Sequence, residues 1–257
     1  MKSNVESDLN TLPKINGLVS FWGVMRWSLI RHRYLLPTFS IAQAILALAI
    51  VYGLALLIPE IDGETALYLS SGAITLGIIA VGCVLAAQII NTAKQDGIVQ
   101  YQQTLPISRI SILVADSIIW GLASLPGIVM ACFAAMIRFQ ITIHLSFTSV
   151  LIIMLAQVVM ISIGFSIAYW FPPNVVALVT QIIMIGGLLF SPITYPAERL
   201  PNWMAMVYNI LPFVPISNLI RASLFRLGVI LWLDLFVVFF WLVVTFGASL
   251  LALSRRE

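Results

Sequence analysis

From Tyr34 to the end of the chain, long apolar runs alternate with short polar breaks. A helix needs about 20 apolar residues to cross a bilayer. The runs therefore predict six spans, at residues 34–58, 66–90, 111–137, 147–171, 175–193 and 229–253. The breaks differ in character. Residues 59–65 are acidic, with Glu60, Asp62 and Glu64 and no Lys or Arg. Residues 138–146 form a polar turn, and Pro172-Pro173-Asn174 is a tight stop and restart.

Two stretches break the simple pattern. In residues 15–33, Ile15, Leu18, Val19, Trp22, Met25 and Leu29 recur at three- and four-residue steps among Arg26, Arg31, His32 and Arg33. This spacing predicts an amphipathic helix in the membrane interface, Trp at headgroup depth and Arg toward phosphate; the other reading is the basic flank of the first span. Residues 194–228 carry Pro196, Pro201, Pro212 and Pro215 around a nine-residue apolar run, Trp203 to Leu211. Nine residues are too few to cross, so a re-entrant or interfacial hairpin is expected, with a proline-broken seventh span as the alternative.

The longest polar interruption after the N-terminal tail is 91–109, NTAKQDGIVQYQQTLPISR. Its charges are Lys94, Asp96 and Arg109, and Gly97 and Pro106 bracket about two turns of helix. Its polar side chains and broken backbone have no partners in lipid, which places it at a membrane surface.

Composition fixes the class. The chain is 61% hydrophobic and 9% charged, against about 25% charged in soluble domains. An all-α integral membrane protein follows, organised as a polar tail (1–14), the interfacial helix (15–33) and one transmembrane domain (34–257). No secretory signal opens it, because residues 1–16 are polar and carry Glu6 and Asp8. The net charge of +3 requires no nucleic-acid partner. Cys83 and Cys132 lie in apolar runs and read as buried structural thiols. His32 and His144 have no ligand-spaced company, so no metal site is expected.

Charge also orients the chain. With six spans, Lys2, Lys14, Arg26, Arg31, Arg33, Lys94, Arg109, Arg255 and Arg256 share a side with both termini; Arg138, Arg199, Arg221 and Arg226 fall on the other. The positive-inside rule makes the termini and the 91–109 loop cytoplasmic, and the re-entrant hairpin external.

Asp116 and Asp234 lie inside predicted spans, where an acid costs about 2.5–3.5 kcal/mol at mid-depth. Both are near span ends within reach of interface water. A structural acid with a water or Arg partner, ion coupling and a role in substrate passage all remain open. Gly72, Gly77, Gly186 and Gly187 offer close-packing surfaces, for a dimer seam or for packing within the chain.

The layout resembles the permease subunits of ABC transporters of the type-2 exporter class. The resemblance covers nearly the whole chain. In that family the loop after span 2 reads acidic-x-Gly-Thr, a helix, then Pro-x-Ser-Arg; here Asp96-Gly97 precedes Pro106-Ile107-Ser108-Arg109. The outer segment reads Leu-Pro-x-Trp, a proline, then an arginine; here Leu200-Pro201-Asn202-Trp203, Pro212 and Arg221. Ile98 replaces the family threonine, and Gln102 and Gln103 stand where leucines are frequent.

The resemblance implies the membrane half of an ATP-driven exporter. A separate nucleotide-binding subunit would supply ATP and Mg, for this chain has no GxxxxGK[ST] phosphate loop. A second permease copy or a sister permease would complete the pair in the cell membrane. The ATPase-coupling residues would be Asp96, Gly97, Val99, Gln100, Tyr101, Leu105, Pro106 and Arg109, helped by Trp22, Arg26 and Arg31. Glu198, Pro201, Trp203, Pro212 and Arg221 would form the outer segment; for Glu198 and Arg199 an ion pair, a helix cap and a gating role all remain open. The expected cargo is a drug-like or natural-product amphiphile, with lipid or lipid-linked polysaccharide next. An ion-gradient transporter using Asp116 and Asp234 is the reading from another class. No HExxH or paired-acid motif supports a membrane enzyme.

Overall fold

The computed structural model describes residues 17–58, 61–197, 200–225 and 231–254. The expected tail at 1–14 and the residues Glu198 and Arg199 lie outside the described residues.

Helix α1, Gly17–His32, is the predicted interfacial helix. Its Leu18, Trp22 and Leu29 are exposed along one stripe, while Val24, Ser28 and His32 form a buried stripe at four-residue steps. The helix is therefore pinned on one side and free to meet the headgroup region on the other. Val24 packs with Ile112 and Ala115, joined by Phe21, Met25 and Ile107. A two-residue turn leads to α2, Leu35–Leu57, with Pro37 in its first turn, where the missing N–H costs nothing.

Helix α3, Gly63–Ile79, opens with the Asp62 side chain accepting from the Thr65 N–H at 2.9 Å. It passes without interruption through a π-helical turn, Ala80–Leu85, into α4, Ala86–Gln95. The continuous 33-residue helix Gly63–Gln95 rises about 50 Å, longer than the hydrocarbon core is thick. Sequence patterning placed the polar break from Asn91; the helix instead continues to Gln95, because Asn91 and Ala93 are buried against the rest of the fold. Gly97 then turns the chain at φ +72°, a left-handed conformation that glycine adopts without penalty, and starts α5, Ile98–Thr104.

Helix α6, Arg109–Phe139, contains Pro126 without interruption of the helix; it packs along α2 and α3. Helix α7, Phe147–Trp170, begins with a reciprocal Ser146–Ser149 capping box. Helix α8, Pro173–Leu189, starts at the Pro-Pro stop, with Pro173 at the first helical position. Helices α9, Asn202–Ile210, and α10, Phe213–Phe225, meet at 79° across a two-residue break. Helix α11, Trp232–Ser254, closes the described chain and packs on α7.

The protein is an all-helical, multi-pass membrane protein. Among the described residues, five helices are long and apolar enough to cross alone: α2, the α3–α4 rod, α6, α7 and α11. The 17-residue α8 rises about 26 Å and stands at the predicted span 175–193, but is shorter than the helices that cross alone.

The α9–α10 pair has the geometry of a re-entrant hairpin. Trp241 Nε1 donates to Ile210 O at the vertex at 2.8 Å, nine residues or about 14 Å down α11. The far end of α10 lies at the α6–α7 turn, where His144 N–H donates to Leu224 O at 2.9 Å and Ser149 Oγ to Ser223 O at 2.8 Å. So α10 rises from mid-depth to the surface where α11 begins. Sequence reading anticipated the apolar run of α9 but not α10. The prolines hid it: Pro215 sits in its first turn, where proline is tolerated, and its polar side chains face inward.

The centre of the bundle is a backbone crossing. A Cβ placed on Gly82, in the π turn, would lie 2.6 Å from Met160 Cβ; one placed on Gly164 would strike the Gly82 carbonyl oxygen. Helix α7 therefore rides directly on the rod at its widened turn. Cys83, a free thiol, donates to Met160 O at 3.4 Å beside the crossing. Gly72, Gly77 and Gly187 are all in contact with this chain, at Thr194, Gln43 and Leu76, which resolves their use as internal packing; Gly186 has open space around it.

Candidate coupling site at one membrane surface

The expected loop residues gather on α5 and its flanks. The first turns of α5 follow from Gly97; its end follows from Arg109. The Arg109 guanidinium donates through Nη1 to Gln102 O at 2.9 Å and through Nη2 to Gln103 O at 2.6 Å. It thus caps the last carbonyls of the seven-residue helix; Gln102 O also accepts from the Leu105 N–H at 3.4 Å. Arg109 is in turn the first residue of α6, so α5 is fastened to the start of the next span.

On one flank, α5 and α1 enclose an apolar groove of about 140 Å³ lined by Val24, Trp27, Tyr101, Gln102, Leu105 and Ile107. Tyr101 is 58% exposed and Trp27 37%, so two aromatic rims are available to a partner. The sequence placed glutamine where an apolar residue would favour docking. Gln102 is nevertheless buried, and Val99 with it anchors the inner face of α5. Gln100 and Pro106 are exposed.

On the other flank, Lys94 makes the bond network that sequence reading overlooked. Its Nζ donates to Ala168 O at 3.0 Å, Tyr169 O at 3.2 Å and Phe171 O at 3.4 Å. These are carbonyls at the C-terminus of α7, where a cation also complements the helix dipole. Lys94, Val99, Gln100, Gln103, Tyr169, Trp170 and Ala252 surround a cleft of about 230 Å³. Gln103 Nε2 reaches Leu253 O at 3.4 Å, and Trp170 Nε1 reaches Ala248 O at 3.0 Å. The base of α5 is therefore connected to α7 and α11. No pattern in the sequence signals this, because the Lys94 partners are backbone oxygens 74 to 77 residues away.

Asp116 has a specific partner set and is buried from solvent. It is 1% exposed, and Ser28 Oγ of α1 donates to its Oδ1 at 2.5 Å. Arg31 Nη2 is 4.0 Å from the same oxygen. The covering helix explains the difference from the sequence expectation: α1 lies over the start of α6 and seals it. His32, one turn beyond Ser28, meets the Trp120 ring edge-on at 5.0 Å. Burial, and then the Arg31 charge, lower its pKa from 6.5 to about 4, despite an opposing hydrogen-bond contribution at Ser28. Arg31 also stacks over Trp27 at 4.7 Å. Trp22 and Arg26 point away from this contact and are exposed.

The residues of the expected outer segment form a separate group. Arg221 is 6% exposed and lies 3.6 Å over the Tyr68 ring. It donates to Ser71 Oγ at 3.0 Å, Asn218 Oδ1 at 3.1 Å, Ile193 O at 3.2 Å and Ser217 Oγ at 3.2 Å. This holds α10 to the rod. The half-buried Asp234 hydrogen-bonds with Asn218 and feels the Arg221 charge. Asp116 and Asp234 are thus in different polar groups. Pro212 is buried just before α10, whereas Pro201 and Trp203 are exposed on or beside α9.

A protein-family comparison matches residues 19–225 to the family described as ABC-2 type transporter. No curated protein matches the chain. The matched stretch runs from α1 through α10 and includes α5 and its groove with α1; the α11 residues beside α5, Ala248, Ala252 and Leu253, lie beyond it.

Proposed function

The chain belongs to the ABC-2 type transporter family and is the permease component of such a transporter, and on that premise we propose that it exports an amphiphile using a separate ATPase subunit that docks on α5 and α1. The observation carrying this reading is the apolar groove between α1 and α5 with its aromatic rims Trp27 and Tyr101. It has the size and chemistry to take one bulky apolar side chain of a partner.

The mechanism follows from what α5 is attached to. ATP closes the ATPase dimer and carries the two α5 helices of a permease pair together. Gly97 joins α5 to the α3–α4 rod, so displacement at the surface tilts the rod. The rod turns against α7 at the Gly82–Gly164 crossing, where close-packed backbones transmit motion with little compression. Lys94 moves the end of α7 with it, and Ser28–Asp116 carries α1 along. The outer ends of the spans then separate around the α9–α10 hairpin. Arg221 keeps that hairpin with the rod through the stroke.

The loop side is cytoplasmic in this reading, supported by the excess of Lys and Arg there. Co-expression with the ATPase subunit tests the whole. A complex whose hydrolysis rate changes with the permease present, and whose cargo leaves the cytoplasm, is the expected result. A permease that purifies alone and moves cargo on an ion gradient would overturn it.

A further inference from the structure

A second cleft at the same surface lies between α1, α2, α4 and α5. Its volume is about 400 Å³, and Arg31, Leu35, Phe39, Gln88, Ile89, Thr92, Asp96 and Ile98 contribute to its lining. We propose that this cleft binds a membrane phospholipid whose headgroup carries a phosphate and a primary amine, as in phosphatidylethanolamine.

Three observations carry the assignment. The cleft is amphiphilic: Leu35, Phe39, Ile89 and Ile98 give an apolar wall, and Gln88 and Thr92 give polar groups. It lies where headgroups lie, since Leu35 begins α2 and Asp96 directly follows α4. It also holds one charge of each sign. Arg31 Nε and Nη1 are buried and have no hydrogen-bond partner among the described residues, and the acid neighbour Asp116 stands at 4.0 Å, beyond hydrogen-bond length, so a modest turn of this side chain brings its free donors to a phosphate in the cleft. Asp96 is exposed and makes no side-chain hydrogen bond or ion pair among the described residues.

The charges select the headgroup. A phosphate beside Arg31 gains charge-assisted hydrogen bonds. The ammonium of the same lipid donates to Asp96. A choline headgroup has no N–H to donate, so it forgoes the second contact. An anionic glycerol headgroup satisfies Arg31 but leaves Asp96 facing a net negative lipid. Acyl chains leave past Leu35 and Phe39 along α2.

The test uses the purified permease, in complex with its ATPase subunit where the two co-purify. Native mass spectrometry counts lipid retained from detergent micelles doped equally with phosphatidylethanolamine, phosphatidylcholine and phosphatidylglycerol. The wild type retains phosphatidylethanolamine several-fold over the other two. Asp96→Asn lowers it to the phosphatidylcholine level, and Asp96→Lys turns the preference to phosphatidylglycerol. Asp96 is a surface residue, so both variants fold. Equal retention of the three lipids, a wild-type preference for phosphatidylglycerol, or an Asp96→Lys variant with unchanged preference would each overturn the proposal. The readout involves no hydrolysis or transport, so it stands or falls apart from the exporter reading.

Discussion

The Lys94 ammonium lies 3.0 Å from the Ala168 carbonyl, and this one side chain connects the last turn of α4, just before α5, to the end of α7. Two further carbonyls, of Tyr169 and Phe171, share it. Loss of the cation leaves the last turn of α7 without its cap.

Lys94→Met keeps the stem of the side chain and removes the donors. Caps and cations at helix ends are worth about 0.3–1 kcal/mol, so the fold survives. The expected outcome is a complex that still hydrolyses ATP but transports less per ATP. Lys94→Arg restores much of the ratio because it keeps the donors. Transport and hydrolysis measured together in proteoliposomes check this. A parallel fall in both would mean that Lys94 serves assembly alone.

The Gly82–Gly164 crossing predicts a stability defect. In Gly164→Ala the new methyl group meets the Gly82 carbonyl oxygen, a backbone atom that cannot rotate away. Overpacking of this kind costs about 1–3 kcal/mol, and here the upper end is expected. Gly247→Ala, with open space around it, is the control and should change the melting temperature little. Thermal unfolding in detergent distinguishes the two.

The docking of α1 depends on pH through His32. Its docked pKa, about 4, is below the free value of 6.5. Above 6.5 the imidazole is neutral in both states, and docking is at full strength. As pH falls from 6.5 toward 4, the released helix takes up a proton that the docked helix refuses, so docking weakens. Hydrogen exchange over α1 should therefore be faster at pH 5 than at pH 7.5, after correction for intrinsic rates. His32→Phe should remove most of that dependence. Unchanged protection across this range in the wild type would contradict the burial of a neutral imidazole.

The sequence carried the lipid-scale pattern but not the contacts across it. Apolar run length alone placed α2, α6, α7 and α11, since a run of about 20 apolar residues satisfies its backbone in lipid as a helix. The turn at Gly97 was legible too, because Pro106 and a run of amides limited how far α5 extends. Ser28 meeting Asp116 was not legible: a serine on an interfacial helix looks like any polar residue until α6 is packed beneath it. Nor was the Arg221 group, whose oxygens come from Ser71, Ile193, Ser217 and Asn218 on three segments. The shape of 194–228 was half legible. Its prolines mark the breaks, whereas the depth of α10 depends on Trp241 reaching Ile210.

Photo-crosslinking tests the central claim most directly. A benzophenone amino acid is placed at Tyr101, on the rim of the α1–α5 groove, or at Trp203, on exposed α9. The account predicts a crosslink to the ATPase subunit from Tyr101 and none from Trp203. An intact complex that crosslinks from Trp203, or that never crosslinks from Tyr101, would contradict it.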